Sequence, residues 1–336
     1  MIDTSTPGAR RILVLGGTGT IGRATVAALV KRGYEVVCIA RPKAGSGGKW
    51  TREKTTRLLQ GAEVRFGGVT DPTFLTEHIF SDRPFHAVVS CLASRTGEPE
   101  DAWAIDYQAH ADVLSLAKTS GVTQMVLLSA ICVQKPRLVF QHAKLKFEQA
   151  LMESGLTYSI VRPTAYFKSL VGQVERVKKG KSFLVFGDGT QTACKPISDA
   201  DLAEYLTDCL EDTSLQNQIL PIGGPGPAIT PLEQGEYLFN LLGRKPRITS
   251  VPTSLMSGVV TLLDGVAKIV PPLAAKAELA RIGHYYATES MLVFDSESGL
   301  YDADATPETG TDTLLDYCRR LIEGSETADR VDYDLF

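Results

Sequence analysis

The 336-residue sequence lacks the features that mark several common functional classes. Its six cysteines form no CxxC pair and its five histidines show no spacing typical of ligands, so we expect neither a disulfide framework nor a metal site. The net charge of −4 predicts no basic surface for nucleic acid. The sequence also has no repeat or low-complexity segment. A hydrophobic fraction of 43% then indicates an ordinary globular protein with reduced thiols.

Long apolar runs are scarce as well. The most apolar stretch, residues 251–275, is interrupted by Asp264, Lys268 and Pro271–Pro272. It falls short of the roughly 20 apolar residues that a membrane-spanning helix needs. Residues 1–10 are polar and too short for a signal or transit peptide. We therefore expect a cytoplasmic protein; peripheral membrane contact and the oligomeric state stay open.

What the sequence does contain is a strand, a glycine-rich turn and a helix in direct succession near its start. Four apolar residues at 12–15 precede Gly16, Gly19 and Gly22, and an amphipathic run follows. The N–H groups of such a turn and the positive end of the helix dipole face one point, which suits a pyrophosphate. Gly16 would allow the tight turn, Gly19 the approach of the phosphates and Gly22 the close packing of the helix. An ordinary glycine-rich turn is the alternative.

We favour dinucleotide binding over that alternative. The predicted cofactor contacts in this turn are Gly16, Thr18, Gly19, Thr20, Ile21 and Gly22.

The end of the second predicted strand, residues 35–40, bears on which dinucleotide binds. NAD-specific sites usually place an acidic residue there to hold the ribose 2′-hydroxyl. This chain has Arg41 and Lys43 instead. Arg41 could bind a 2′-phosphate bidentately and Lys43 would add a positive charge, which favours NADPH. Alternatively, both side chains merely solvate a loop.

Strand and helix patterns alternate up to residue 163, with further strands predicted at 63–66, 85–91, 124–128 and 158–161. This alternation predicts an α/β fold, a Rossmann-type doubly wound parallel sheet with helices on both faces. Ligands of such sheets bind beyond the carboxyl ends of the strands.

Loops at that edge extend the predicted cofactor site to Asp71, Cys91, Leu92 and Pro163. Asp71 could accept a hydrogen bond from the adenine amino group. It could equally cap the next helix, with Pro72 at the first helical position. The two interpretations are compatible.

Past residue 165 the alternation loosens. We predict a tail at 1–10, an NADP-binding domain at 11–165 and a smaller, mostly helical substrate-binding region at 166–336. Some of its elements, such as a strand at 218–222, are expected to return to the sheet.

One predicted helix of this region, residues 253–269, carries an apolar stripe. Its members recur at helical spacing: Leu255, Val259, Leu262, Val266 and Ile269. We expect the stripe to pack on a core; the alternative is that part of it lines a wide pocket for a large flat substrate.

The layout resembles the short-chain dehydrogenase/reductase superfamily, in its extended and atypical branch. There a Tyr-x-x-x-Lys pair begins the helix after the fifth strand, the lysine holding the nicotinamide ribose and the tyrosine relaying a proton. The matching residues here are Phe140 and Lys144. Because Phe140 cannot donate a proton, we do not expect carbonyl reduction through that position. Lys144 could still orient the ribose, or it could be a solvent-facing helix lysine.

Longer segments resemble one family of that superfamily. Residues 127–136, 140–148, 162–168 and 277–291 are similar to divinyl chlorophyllide a 8-vinyl-reductases, and the similarity runs from about Arg11 to near the C-terminus. The resemblance implies a small-molecule substrate, the 8-vinyl group of a chlorophyll or bacteriochlorophyll precursor, and its NADPH-dependent reduction to ethyl. Plant members carry a transit peptide, so the short N-terminus implies a phototrophic bacterium.

Reduction of a carbon–carbon double bond needs a hydride on one carbon and a proton on the charge that remains. Tyr166 is the predicted donor because it follows the sixth predicted strand, although a packing role fits it equally well. His142 and Lys144 are weaker candidates. One rival hypothesis is a non-catalytic or redox-sensing NADP(H)-binding member of the superfamily, which Phe140 would suit. A nucleotide-sugar epimerase is disfavoured because those enzymes generally keep the tyrosine.

Overall fold

The computed structural model describes residues 10–45, 48–267 and 274–326. Its strands are β1 (Arg11–Leu15), β2 (Glu35–Ala40), β3 (Glu63–Phe66), β4 (Ala87–Ser90), β5 (Gln124–Leu128), β6 (Thr157–Pro163), β7 (Phe183–Phe186), β8 (Gln218–Ile222), β9 (Ile248–Val251), β10 (Val293–Asp295) and β11 (Leu300–Asp302). Seven of them form one parallel sheet in the order β3-β2-β1-β4-β5-β6-β8. The predicted doubly wound sheet is therefore confirmed.

Helices connect and cover these strands. They are α1 (Thr20–Lys31), α2 (Arg52–Leu58), α3 (Pro72–Phe74), α4 (Pro99–Asp101), α5 (His110–Thr119), α6 (Val139–Met152), α7 (Phe167–Leu170), α8 (Val174–Lys178), α9 (Asp199–Asp208), α10 (Pro231–Leu241), α11 (Thr253–Ala267), α12 (Ala274–Thr288) and α13 (Leu314–Glu323). Two π-helical segments, Leu75–Ile79 and Ala102–Ala109, follow α3 and α4, and 3₁₀ turns span Ile131–Gln134 and Thr213–Leu215.

The core lies on both faces of the sheet because side chains alternate along each strand. In β1, Ile12 and Val14 point to one face and join side chains of α1 and α9. Leu13 and Leu15 point to the other face, where α5 and α6 pack. Burial of each such side chain contributes about 1.5–3 kcal/mol. The central strands are thus buried on both sides, as a parallel sheet requires.

Residues beyond β6 build a third core and also return to the sheet. β8 pairs in parallel with β6, with Ser159 opposite Gln218, which is the return that the sequence predicts. A separate cluster joins α8, α10 and α13 to the parallel pair β7–β9. Nothing in the local pattern predicts β9, because four residues give little periodicity and its partner lies about 60 residues earlier in the chain.

Three members of the apolar stripe that the structure describes on α11 do not pack on a core. Leu255, Val259 and Leu262 are 59%, 40% and 67% exposed, so that expectation is wrong for these three residues. α11 instead packs against α12 with another side. The Val266 side chain and Ile269 lie outside the described residues, as does most of the predicted tail at 1–10.

All six cysteines are free, and five of them are buried. In the described parts of the chain, no helix is long and apolar enough to cross a membrane. Within the same ranges, no three His, Cys, Asp or Glu side chains converge as metal ligands would.

The close packing of α1 against β1 can be tested at Gly22. A Cβ at this position would overlap the carbonyl oxygen of Gly16. We expect Gly22→Ala to lower the free energy of unfolding by about 1–3 kcal/mol, the usual range for overpacking. Gly172→Ala is the matched control because a Cβ there meets no atom within 4 Å, and it should change stability by less than about 0.5 kcal/mol. Equal effects of the two substitutions in urea unfolding would contradict this account.

Candidate active site

The carboxyl ends of β1, β4, β5 and β6 meet at one edge of the sheet, and the glycine turn lies there. Gly16 has φ +71°, a backbone conformation that favours glycine, and a Cβ on it would lie 2.5 Å from the carbonyl oxygen of Cys91. Gly19 caps α1 without a side-chain hydrogen bond. The turn therefore leaves a cradle that side chains would fill, and its first helical N–H groups suit a dinucleotide phosphate.

Lys168 places a positive charge beside this turn. Its Nζ donates a hydrogen bond to Thr20 Oγ1 at 2.9 Å. An ammonium and a helix N-terminus both attract an anion, so Lys168 reinforces the cradle. Lys168 belongs to the segment that resembles the reductase family, but it was not predicted as a site residue because its contact with α1 spans 148 positions.

Arg41 and Lys43 follow β2 with exposed side chains. Burial lowers the pKa of the Arg41 guanidinium, and the nearby charge of Arg95 lowers it further. Arg95 donates a hydrogen bond to the carbonyl oxygen of Gly45 at 2.9 Å, which anchors it in this loop region. Two guanidinium groups close together repel one another, so an anion placed between them would be stabilised. Arg95 was not predicted from sequence, since it lies in the loop after a different strand.

Asp71 caps the helix that follows it. Its Oδ1 accepts hydrogen bonds from the N–H groups of Thr73 and Phe74, at 3.0 and 3.2 Å, and Pro72 begins α3. The capping interpretation is confirmed by these contacts. A contact with adenine stays a prediction.

Three other predicted cofactor residues also lie at the edge. Cys91 follows β4, and its Sγ lies 3.5 Å from Thr25 Oγ1. The N–H of Leu92 donates to Ser90 Oγ, and Pro163 is the last residue of β6.

Lys144 forms a buried ion pair. Its Nζ lies 2.9 Å from Asp106 Oδ1, and the two side chains are 11% and 0% exposed. The backbone N–H and the hydroxyl of Ser94 also donate to the Asp106 carboxylate. The alternative that Lys144 is a solvent-facing helix lysine is therefore wrong. Asp106 was not predicted because it lies in the π-helical segment Ala102–Ala109, where helical spacing fails.

His110 supports the same corner as a neutral side chain. Its Nε2 lies 2.7 Å from Ser90 Oγ and its Nδ1 2.8 Å from the carbonyl oxygen of Ile105. Burial and, to a smaller extent, the charge of Lys144 lower the pKa of His110 to about 4. His110 therefore holds β4 and is not an acid at neutral pH. His142, by contrast, is exposed on α6.

Tyr166 lies beyond β6, where it forms a bridge with Ile197 and packs against the core. A second phenol is close to it, that of Tyr286 from α12. The hydroxyl of Tyr286 donates to Cys132 Sγ at 3.8 Å. Cys132 lies in the turn after β5, and the charge of Lys144 acts to lower the pKa of its thiol. The structure thus joins Lys144 and Tyr166 to two groups that were not predicted, Cys132 and Tyr286.

Residues 16–213 match the NAD(P)H-binding family model. An NADPH-dependent quinone oxidoreductase from Escherichia coli, solved with NADPH, has a similar fold: the TM-score is 0.64 at 18% identity, covering 92% of this chain and 99% of that one. The divinyl chlorophyllide a 8-vinyl-reductase of Arabidopsis thaliana is 52% identical over 318 residues, or 93% of this chain and 76% of the relative. The chain belongs to the divinyl chlorophyllide a 8-vinyl-reductase family. The Zea mays member is 49% identical over 316 residues, covering 93% of this chain and 79% of the relative.

Membership in this family corrects the expected location. Four plant relatives at 49–52% identity are chloroplastic, so the expectation of a cytoplasmic protein from a phototrophic bacterium is wrong. The motifs that identify the family belong to the fold, whereas location depends on targeting signals outside it. The family motifs therefore do not predict the cellular compartment of the protein.

The buried pair can be tested by removing its positive charge. Lys144→Met would leave the carboxylate of Asp106 buried without its ionic partner, which typically costs about 3–5 kcal/mol of unfolding free energy. The double variant Asp106→Asn/Lys144→Met removes both charges and should recover most of that loss in denaturant titrations. Lys118→Met, at an exposed position of α5, is the control. A double variant no more stable than the single one would contradict the pairing.

Proposed function

We propose that this chain uses NADPH to reduce the 8-vinyl group of divinyl chlorophyllide or protochlorophyllide to ethyl. The observation that carries the proposal is the altered pair at the start of α6. Lys144 is kept and held by Asp106, while Phe140 has no proton to give to a carbonyl oxygen. A site with this lysine but without the tyrosine suits a hydride acceptor that is not a carbonyl group. The names of the relatives supply the identity of that acceptor.

The choice of NADPH over NADH rests on the positive charges after β2. Arg41 and Lys43 stand where an NAD-specific site would have an acid, and Arg95 adds a second guanidinium. We propose that these three groups bind the 2′-phosphate. The rest of the cofactor would lie along Gly16, Thr18, Gly19, Thr20, Ile21 and Gly22 and beside Asp71, Cys91, Leu92, Lys144 and Pro163.

We also assign functions to the two parts of the chain. Residues 11–165 would bind the cofactor and residues 166–336 the tetrapyrrole. The exposed stripe of Leu255, Val259 and Leu262 fits the alternative from sequence, a wide apolar surface for a flat macrocycle.

In the proposed mechanism, bound NADPH supplies the hydride to the vinyl group. Lys144, fixed by Asp106, orients the nicotinamide ribose. The charge that develops on the substrate spreads into the conjugated macrocycle and is then neutralised by a proton. Tyr166 stays the candidate donor from sequence, because it follows β6 at the same edge.

The reaction can be followed directly by absorbance. Purified protein incubated with NADPH and divinyl chlorophyllide should shift the Soret band to the blue, because reduction removes one conjugated double bond from the macrocycle. A mixture without NADPH should show no shift. If NADPH binds and no shift appears, the chain is the non-catalytic NADP(H)-binding protein of the rival hypothesis.

The assignment of the 2′-phosphate site predicts a selective effect of Arg41. Arg41→Ala removes a charge-assisted contact of about 1.5–3 kcal/mol, so KM for NADPH should rise about tenfold or more. KM for NADH should change little, since NADH has no 2′-phosphate. Arg57→Ala, at an exposed position of α2, should affect neither value. An equal rise for both cofactors would refute the assignment.

A further inference from the structure

The hydroxyl of Tyr286 lies against the segment that follows β5. It donates to Cys132 Sγ at 3.8 Å in the turn Ile131–Gln134, directly after β5. It also interacts electrostatically with Tyr166, which lies directly after β6. Ligands of an open parallel sheet bind above this edge, beyond the carboxyl ends of the strands. A residue about 145 positions after the altered pair thus brings a phenol to that pair's surroundings.

Lys144 interacts electrostatically with Cys132, the residue that accepts the hydrogen bond from Tyr286. Its ammonium lowers the pKa of the Cys132 thiol, although burial raises that pKa overall. The sulfur that accepts the hydrogen bond from Tyr286 is therefore influenced by the charge of Lys144. In the superfamily pattern a lysine serves a tyrosine four residues earlier on the same helix, where this chain has Phe140. In this chain α12 instead brings the phenol of Tyr286 to the sulfur of Cys132.

The environment of Cys132 is fixed by the neighbouring tyrosine. The hydroxyl of Tyr285 donates to the carbonyl oxygens of Cys132 and Lys135, at 2.9 and 3.0 Å. Gln141 on α6 donates to the same Cys132 carbonyl at 3.2 Å. These bonds hold α12 against the turn after β5. Tyr285 is buried, whereas the Tyr286 residue is 43% exposed.

We propose that Tyr286 is the catalytic acid that gives the reduced vinyl group its proton. This inference rests on the proposed function and names a residue for its final step. One vinyl carbon receives the hydride and forms a C–H bond, while the π pair of electrons moves to the other carbon and the macrocycle. That pair then takes the Tyr286 proton as the O–H bond breaks. Water reprotonates the phenolate, and the net change is addition of hydride and one proton.

The chemistry of the phenol fits this role. Burial raises the pKa of Tyr286 well above the ordinary value, together with the nearby Cys132, Tyr166 and Tyr285. The phenol therefore keeps its proton at neutral pH. A weak acid still protonates a carbanion, which is a far stronger base than a phenolate. Tyr166 faces the same space, so it is the rival donor.

The direct test compares Tyr286→Phe with Tyr166→Phe, the rival donor, and with a control. We expect Tyr286→Phe to lower kcat for divinyl chlorophyllide by about 100- to 10,000-fold, the usual range for loss of a general acid. The dissociation constant for NADPH should not change. Tyr237→Phe, on α10 beside Arg319, is the matched control and should keep full turnover.

A second experiment alters only the acidity of the phenol. It tests the inference even if the phenylalanine variant does not fold. Incorporation of 3,5-difluorotyrosine at position 286 lowers the phenol pKa. The alkaline limb of the kcat profile should then move to lower pH, because the rate falls once the donor has lost its proton. The fluorine NMR signal should also shift when chlorophyllide is added to the NADP⁺ complex. The same label at position 237 should show neither effect.

The outcomes separate the inference from the proposed function. Full turnover in Tyr286→Phe, or a loss confined to Tyr166→Phe, would overturn the inference alone. An unmoved pH profile in the fluorinated protein would do the same. If the wild-type protein gave no Soret shift with bound NADPH, the proposed function itself would fail, and the inference with it.

Discussion

The close approach of three backbone segments at the end of β1 is the constraint on which the rest of the site depends. Gly16 lies against the carbonyl of Cys91, and Gly22 lies against Gly16, so neither position has room for a side chain. This contact fixes the start of α1 relative to β1 and β4. It also leaves the first N–H groups of α1 facing the open edge, where Lys168 adds a positive charge.

The electrostatics of the neighbouring corner follow from one buried carboxylate. Asp106 is completely enclosed and accepts hydrogen bonds from Ser94 as well as the ammonium of Lys144. A lysine buried alone would tend to lose its proton, and the carboxylate opposes that tendency. His110 stays neutral beside this pair, since burial and Lys144 both disfavour a second positive charge. The corner thus holds one buried ion pair, with the ammonium of Lys144 fixed at a defined position.

Local patterns predicted what depends on local sequence. The glycine turn, the apolar run of each central strand and the cap by Asp71 involve residues close together in the chain, and the structure agrees with each. The contacts of Lys168 with Thr20 and of Tyr286 with Cys132 span 148 and 154 positions, so no spacing rule could find them. The prediction that the α11 stripe packs on a core was wrong for another reason. Periodicity shows that one face of a helix is apolar, but not whether protein, ligand or another surface covers it.

The position of β8 has a consequence for how the chain folds during synthesis. The sheet grows outward from β1, and its last strand comes from residues 218–222, after an excursion that includes β7. Until those residues leave the ribosome, β6 remains an open edge with unpaired N–H and C=O groups. Such edges favour pairing with other chains. The nascent protein is therefore most exposed to misassembly in the interval between the synthesis of β6 and that of β8, when a chaperone would be of most use.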